Sequence, residues 1–180
     1  MNPDQATRGL SGKESEYEAF FRAQFPRVVR YLLVLGASIQ EATDAAQDGF
    51  VKLWSHWDQV RAPLAWVRRT AEREYVNSAV KQNRITTTDS DLALESLMPP
   101  APDDSWGTAR EGQEVGSVLA MLKQLPPAQR RVFALLMDGL KPREIALELD
   151  MREATVRSHI RHGRERLRHL LEGGSVSSRP

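Results

Sequence analysis

Cysteine is absent from all 180 residues, which excludes disulfides and thiolate zinc sites. The four histidines, His56, His159, His162 and His169, show neither Glu-x-x-His nor His-Glu-x-x-His spacing, so no metal centre is expected. The chain has no P-loop, no glycine-rich nucleotide motif and no convincing acid/base pair. Ser, His and Asp co-occur only as chance allows in a chain of this size, so neither an enzyme nor a cofactor is expected. No run approaches the ~18 apolar residues of a membrane span, and membrane insertion is not expected. Residues 1–13 are polar and have no apolar stretch of the kind a secretory signal carries. These absences leave a cytoplasmic protein whose work is binding.

Net charge is only +1, and its distribution says more than its sum. Residues 14–83 hold 9 basic against 9 acidic side chains, residues 84–112 hold 2 against 6, and residues 113–172 hold 11 against 8. An acidic middle therefore separates a neutral front from a basic end. A near-zero total can conceal a basic surface that faces nucleic acid.

The chain reads as all-α, with two small helical domains joined by a flexible acidic linker. Residues 14–84 form the first domain in this reading, and Pro26 is expected to open a new helix that Gly36 stops. Ala46, Phe50, Leu53 and Trp57 recur at steps of four, three and four, one face of an amphipathic helix. Pro63 suits the first turn of a helix reaching about Asn83. Residues 85–112, rich in Pro, Thr and acids, are too long for a loop inside one compact domain and read as linker, with a short helix around Leu92–Leu97. Residues 113–172 are helical again. Residues 1–13 and 173–180 are expected to be disordered.

The most informative stretch is Lys141 to Ile160. Ile145, Ala146 and Leu149 face inward on one helix, and Val156 and Ile160 on the next; Gly163, Leu167 and Leu171 continue the stripe. Two helices across a short turn, with a small residue at their approach, make a helix-turn-helix whose second helix lies in the DNA major groove. Arg157, Ser158, Arg161, Arg164 and Arg168 point away from the stripe. Arginine can bond guanine O6 and N7 in bidentate fashion, while the later arginines suit phosphates. The bland reading, a solvated basic face, does not account for inward pattern, turn and basic outer face together.

In the helix from Pro63, Arg69, Arg73, Asn77 and Lys81 recur every four residues along one side, and Arg84 continues it. Val67, Ala71, Tyr75 and Ala79 form a neighbouring apolar side. One buried and one basic side suit nucleic acid. Trp57 and Trp66 flank the preceding loop, and aromatics beside basic groups suit unstacked bases. Both could instead fill a small core, which is the role expected for Trp66. The helix before the loop carries Asp44, Gln47 and Asp48 with Val51 and Trp54 nearby. An acidic, partly aromatic face suits protein docking rather than DNA.

Two blocks resemble the extracytoplasmic-function (ECF) group of the sigma-70 family of bacterial RNA polymerase sigma factors. The first, Thr43-Asp44-Ala45-Ala46-Gln47-Asp48-Gly49-Phe50-Val51-Lys52-Leu53-Trp54, is similar to the family's Asp-x-x-Gln-Asp/Glu-x-Phe-x-x-x-Trp helix, and Ala65 to Ala71 follow it. The second runs from Leu125-Pro126-Pro127-Ala128-Gln129-Arg130 through Glu144-Ile145-Ala146 to Ala154-Thr155-Val156-Arg157-Ser158. The likeness implies a first domain of the region 2 type and a second of the region 4 type. It further implies that Asp44, Gln47, Asp48, Val51 and Trp54 dock on the clamp coiled coil of the largest subunit of core RNA polymerase, and that the second domain meets the flap of the second-largest. Trp57, Arg61, Arg68, Arg69, Arg73, Asn77, Lys81 and Arg84 would open and read the −10 promoter element. Arg152, Thr155, Arg157, Ser158, Arg161, His162 and Arg164 would read the −35 element as duplex. The acidic linker would thread the RNA exit region. An anti-sigma factor that clamps both domains is common in the family, and the likeness leaves such a partner open.

The sequence departs from the family's pattern at Asp150, where Gly is usual, and at Glu153-Ala154, which replaces an x-Gly pair. Arg73 and Asn77 stand where Asn and Asp are common, which adds positive charge to the −10 helix. Gly49 inside the docking helix should cost some helix stability. A competing reading, a dimeric helix-turn-helix regulator on paired half-sites, explains residues 141–160 and leaves the Asp44–Trp54 block without a role.

Overall fold

The computed structural model describes residues 3–81 and 110–174, with side chains for residues 12–81 and 116–172. Its regular elements are helices. They are α1 (Pro3–Leu35), α2 (Ile39–His56), a 3₁₀ turn (Trp57–Gln59), α3 (Pro63–Lys81), α4 (Arg110–Lys123), α5 (Pro127–Met137), α6 (Pro142–Glu148) and α7 (Glu153–Gly174). The expected helix near Leu92–Leu97 and residue Arg84 lie outside the described residues.

α1 differs from the sequence expectation twice. It begins at Pro3 rather than after a disordered stretch of thirteen residues, and it runs through Pro26 rather than restarting there. Pro26 removes one backbone donor, but it and Arg22 are exposed, so the freed carbonyl faces water. Apolar anchors on both sides hold the helix line: Phe20, Phe21 and Phe25 before the proline, Val28 and Leu32 after it. Lys13 is fixed by an ion pair to Asp58, and its ammonium lies 5.1 Å from the centre of the Trp54 ring. Gly36, with φ 115°, stops the helix as expected, its N–H and that of Ala37 donating to Leu32.

The first unit is a three-helix arrangement of α1, α2 and α3. Ser38 opens α2 through a capping box with Glu41, whose carboxylate accepts the Ser38 N–H at 2.9 Å. Phe50 sits under Phe20, Phe21 and Phe25, with ring centroids 5.0–6.0 Å apart. Gly49 has a packing reason that outweighs its helix propensity. A Cβ there would lie 3.1 Å from the Ala71 Cβ, so the glycine lets α2 and α3 approach closely. Val67, Ala71, Tyr75 and Ala79, the expected apolar side of α3, are all buried.

The second unit packs α5, α6 and α7 with α4 alongside. Leu122, Leu125, Val132, Leu135, Ile145 and Val156 make its core, and Pro127 starts α5. Leu171, expected inside, is 57% exposed, because the apolar stripe of α7 is covered only through Ile160, Gly163 and Leu167. The buried residues of both units form one continuous cluster, and α1 packs along α5. The halves therefore meet directly, a contact that a flexible linker by itself did not imply.

Gly163 is where α7 crosses Phe133. A Cβ there would fall 2.3 Å from the buried ring, which has little room to turn. Gly163→Ala is expected to destabilise the chain by about 1–3 kcal/mol. Gly116→Ala, with nothing within 4 Å of the added carbon, should stabilise α4 by about 0.5–1 kcal/mol. Urea midpoints of the two variants should shift in opposite directions.

Candidate nucleic-acid and polymerase interfaces

The helix-turn-helix is built by α6, a four-residue turn and α7. Lys141 N–H donates to the Glu144 carboxylate at 2.6 Å and fixes the start of α6. Leu149 N–H closes on Ile145 O at 2.9 Å and Met151 N–H on Ala146 O at 2.9 Å, so the chain reverses within one turn. The reversal requires a left-handed residue, which is Asp150 at φ 53°. The aspartate thus adopts the conformation that glycine supplies more easily. Thr155 and Val156 N–H groups then bond Arg152 O and begin the second helix.

Val156, Ile160 and Gly163 anchor α7, and Thr155, Arg157, Arg161, His162 and Arg164 stand exposed along it, with Ser158 half-buried and Arg152 exposed in the turn before it. Arg157, Arg161, Arg164 and Arg168 rim a shallow depression of about 250 Å³. Within the face, Arg157 is oriented by Glu153 one turn earlier, at 2.6 Å, and Arg161 Nη2 lies 3.2 Å from His162 Nε2. Burial, and secondarily His162, push the His159 imidazole below its ordinary pKa, so His159 is neutral near pH 7.

On α3 the expected basic row is present. Arg69, Arg73, Asn77 and Lys81 are exposed along one side, and Arg61 is exposed in the loop before it. Trp57 is half-buried, edge-on to Tyr17 at 5.1 Å and against Phe20 at 5.0 Å. Trp66 is half-buried beside His56. On α2, Asp44, Gln47, Asp48 and Val51 are exposed, Val51 at 68%, whereas Trp54 is half-buried under Tyr17 and Lys13.

Arg68 stands apart. Only 2% of its side chain is accessible, because it points into the second unit rather than to solvent. Its Nη1 donates to Glu148 at 2.9 Å and its Nη2 to Asp138. Arg30 pairs with the same Asp138 carboxylate, and Arg27 lies 3.5 Å from it. Glu72, one turn after Arg68 on α3, accepts from Arg131 Nε at 2.6 Å and from Tyr31 at 3.0 Å. Burial and the Glu72 charge hold the Tyr31 phenol protonated, well above its usual pKa. Sequence reasoning had no means of finding Asp138, Glu148, Glu72 or Arg131. Their charged partners lie 59 to 111 residues away, and a lone charge on a helix looks solvated.

Two family models match this chain, "Sigma-70 region 2" over residues 20–85 and "Sigma-70, region 4" over residues 116–167. Together they cover both units in the expected order. The chain belongs to the extracytoplasmic-function group of the sigma-70 family. Among curated relatives, the ECF RNA polymerase sigma factor RpoE of Cereibacter sphaeroides is 27% identical over 88% of this chain and 87% of its own length. The RNA polymerase sigma-E factor of Streptomyces avermitilis is 26% identical over 93% and 92%. The probable RNA polymerase sigma factor RfaY of Xanthomonas campestris is 23% identical over 89% of this chain, which spans only 42% of that relative. Two solved structures share the fold. CnrH in complex with the cytosolic domain of CnrY has a TM-score of 0.65 at 18% identity, covering 93% of this chain and 95% of CnrH. RpoE in complex with the anti-sigma factor NepR from Bartonella quintana has a TM-score of 0.63 at 17% identity, over 91% and 99%. The match at residues 20–85 accounts for the part of this ECF sigma chain that a dimeric regulator leaves without a role.

The left-handed turn gives a local test. Asp150→Gly removes the steric cost and is expected to leave stability unchanged or raised by less than about 1 kcal/mol, whereas Asp150→Val should lower it by about 1–2 kcal/mol. Thermal unfolding of the two variants checks the order.

Proposed function

We propose that this sigma factor binds core RNA polymerase through the exposed acidic and apolar face of α2 and reads promoters with two helices, α3 at the −10 element and α7 at the −35 element. The observation that carries the reading is the pairing of each buried apolar stripe with an exposed basic row on the same helix. Val67, Ala71, Tyr75 and Ala79 seat α3 while Arg69, Arg73, Asn77 and Lys81 face out. Val156 and Ile160 seat α7 while Arg157, Arg161 and Arg164 face out. A rigid helix with a fixed row of guanidinium groups can position on phosphates and present selected side chains to base edges.

The chain works without catalysis, by recruitment and strand opening, in the cytoplasm where polymerase and promoter DNA are. Asp44, Gln47, Asp48 and Val51 form the docking surface on the clamp coiled coil, and the second unit meets the flap. Trp54 supports that surface from beneath rather than anchoring it alone, since Tyr17 and Lys13 cover part of its ring. An anti-sigma factor is a further partner in this reading. It is supported by the likeness in fold to CnrH, solved with the cytosolic domain of CnrY, and to the sigma factor RpoE, solved with the anti-sigma factor NepR.

Competition for core enzyme tests docking. The purified chain should displace a labelled housekeeping sigma factor from core polymerase on a sizing column. Asp48→Arg should abolish displacement without loss of helicity; displacement unchanged in that variant would remove α2 as the docking face. Reconstituted transcription from a mapped promoter tests the two readers. Arg157→Ala should lose about 1–3 kcal/mol of discrimination at one −35 base pair, and Arg73→Ala should lower open-complex yield with −35 discrimination intact.

A further inference from the structure

We propose that the two units hold each other in a closed state through a buried ion cluster centred on Asp138, and that this state masks part of the −10-reading side of α3. The masking rests on the function proposed above; the latch itself does not.

Asp138 caps the C-terminus of α5, where a negative charge opposes the helix dipole and is locally unfavourable. The opposition is offset from outside its own unit. Arg68 of α3 and Arg27 and Arg30 of α1 all converge on its carboxylate, whose side chain is 2% exposed. Glu148 shares Arg68 from α6, and its backbone carbonyl accepts from Arg69 at 3.0 Å. A second cross-pair of reversed polarity, Glu72 with Arg131, lies one turn further along α3. Arg130 reaches back to Leu35 O at 3.2 Å. Charges of both signs thus alternate along one seam, which sets the register between the units as well as their attraction.

The ion cluster in the seam has the energetics of a switch. Buried ion pairs add little net stability over separated, hydrated charges, yet removing one partner is costly. The closed state is also incompletely satisfied, since Arg68 Nε is buried without a hydrogen-bond partner among the described residues. An acceptor that offers hydrated phosphates to Arg68 and Arg69 competes directly with Asp138 and Glu148.

Geometry makes closure and promoter engagement alternatives. Arg69 contacts Glu148, five residues before α7 begins at Glu153. Five residues span at most about 19 Å, so the −10 side of α3 lies within roughly 30 Å of the start of the −35 helix. Elements centred about 25 base pairs apart are separated by ~85 Å of straight duplex at ~3.4 Å per pair. The closed chain can present one reader or the other to such a site, not both.

The experiment uses the full chain, which has no native cysteine. Spin labels at Ser55→Cys on α2 and Arg143→Cys on α6, both exposed, report the distance between units. The background chain should give one narrow, short distribution. Arg131→Glu and Asp138→Asn should each move most of it to long, broad distances, and Arg131→Glu with Glu72→Arg should bring it back. A broad distribution in the background chain, or an unchanged one in both single variants, overturns the latch. Titration with a fluorescent single-stranded −10 oligonucleotide tests the masking. Asp138→Asn should bind about tenfold tighter, as expected if about one background molecule in ten is open. Equal affinities overturn the masking, and no binding by any variant overturns the reading of α3 while the distances still decide the latch.

Discussion

A guanidinium group cannot be taken out of water alone, and the arrangement of this chain follows from where Arg68 finds its counter-charges. Isolated in an apolar interior the group would cost several kcal/mol or more. Here Asp138 and Glu148 meet it from a unit whose sequence lies 70 and 80 residues away. The pairing dictates which face of α3 turns toward the second unit. That choice in turn sends Arg69, Arg73, Asn77 and Lys81 to the solvent side and Val67, Ala71 and Tyr75 to the core of the first unit.

The same economy of faces runs through the rest of the fold. Each unit is small, so every helix must serve a core and an outer surface at once. α2 buries Ala42, Ala46, Phe50 and Leu53 and exposes the acidic row that suits polymerase. α7 buries Val156 and Ile160 and exposes arginines. Close approach is secured by small residues where large ones would separate the helices. Gly49 sits against Ala71, and Gly163 against the Phe133 ring. These glycines cost helix propensity locally, and the packing they permit offsets that cost.

Local rules fail at the places where the chain does something beyond folding. Asp138 stands at the wrong end of a helix dipole, and Asp150 adopts a left-handed conformation. The first is explained by three arginines from the other unit, the second by the sharp reversal that sets α6 against α7. Both lie next to the elements that the proposed mechanism uses, one at the seam between units and one at the entrance to the −35 helix.

Much of this was readable without coordinates. Periodicity located α2, α3 and the helix-turn-helix, since a helix that buries one face must repeat its apolar residues at 3.6-residue intervals. Pro63 and Gly36 marked a start and a stop because proline and glycine restrict or free the backbone there. The exposed rows on α3 and α7 followed as complements of the buried ones. The continuity of α1 through Pro26 did not, because whether a proline breaks a helix depends on what holds the turns on either side. Nor did the role of Arg68, which sits among the other basic residues of α3 and differs from them only in what faces it. Residue type and spacing determine which side of a helix is apolar. Only tertiary structure decides which charge is paired across a distant seam and which is left for a ligand, because that depends on groups brought together after the chain has folded.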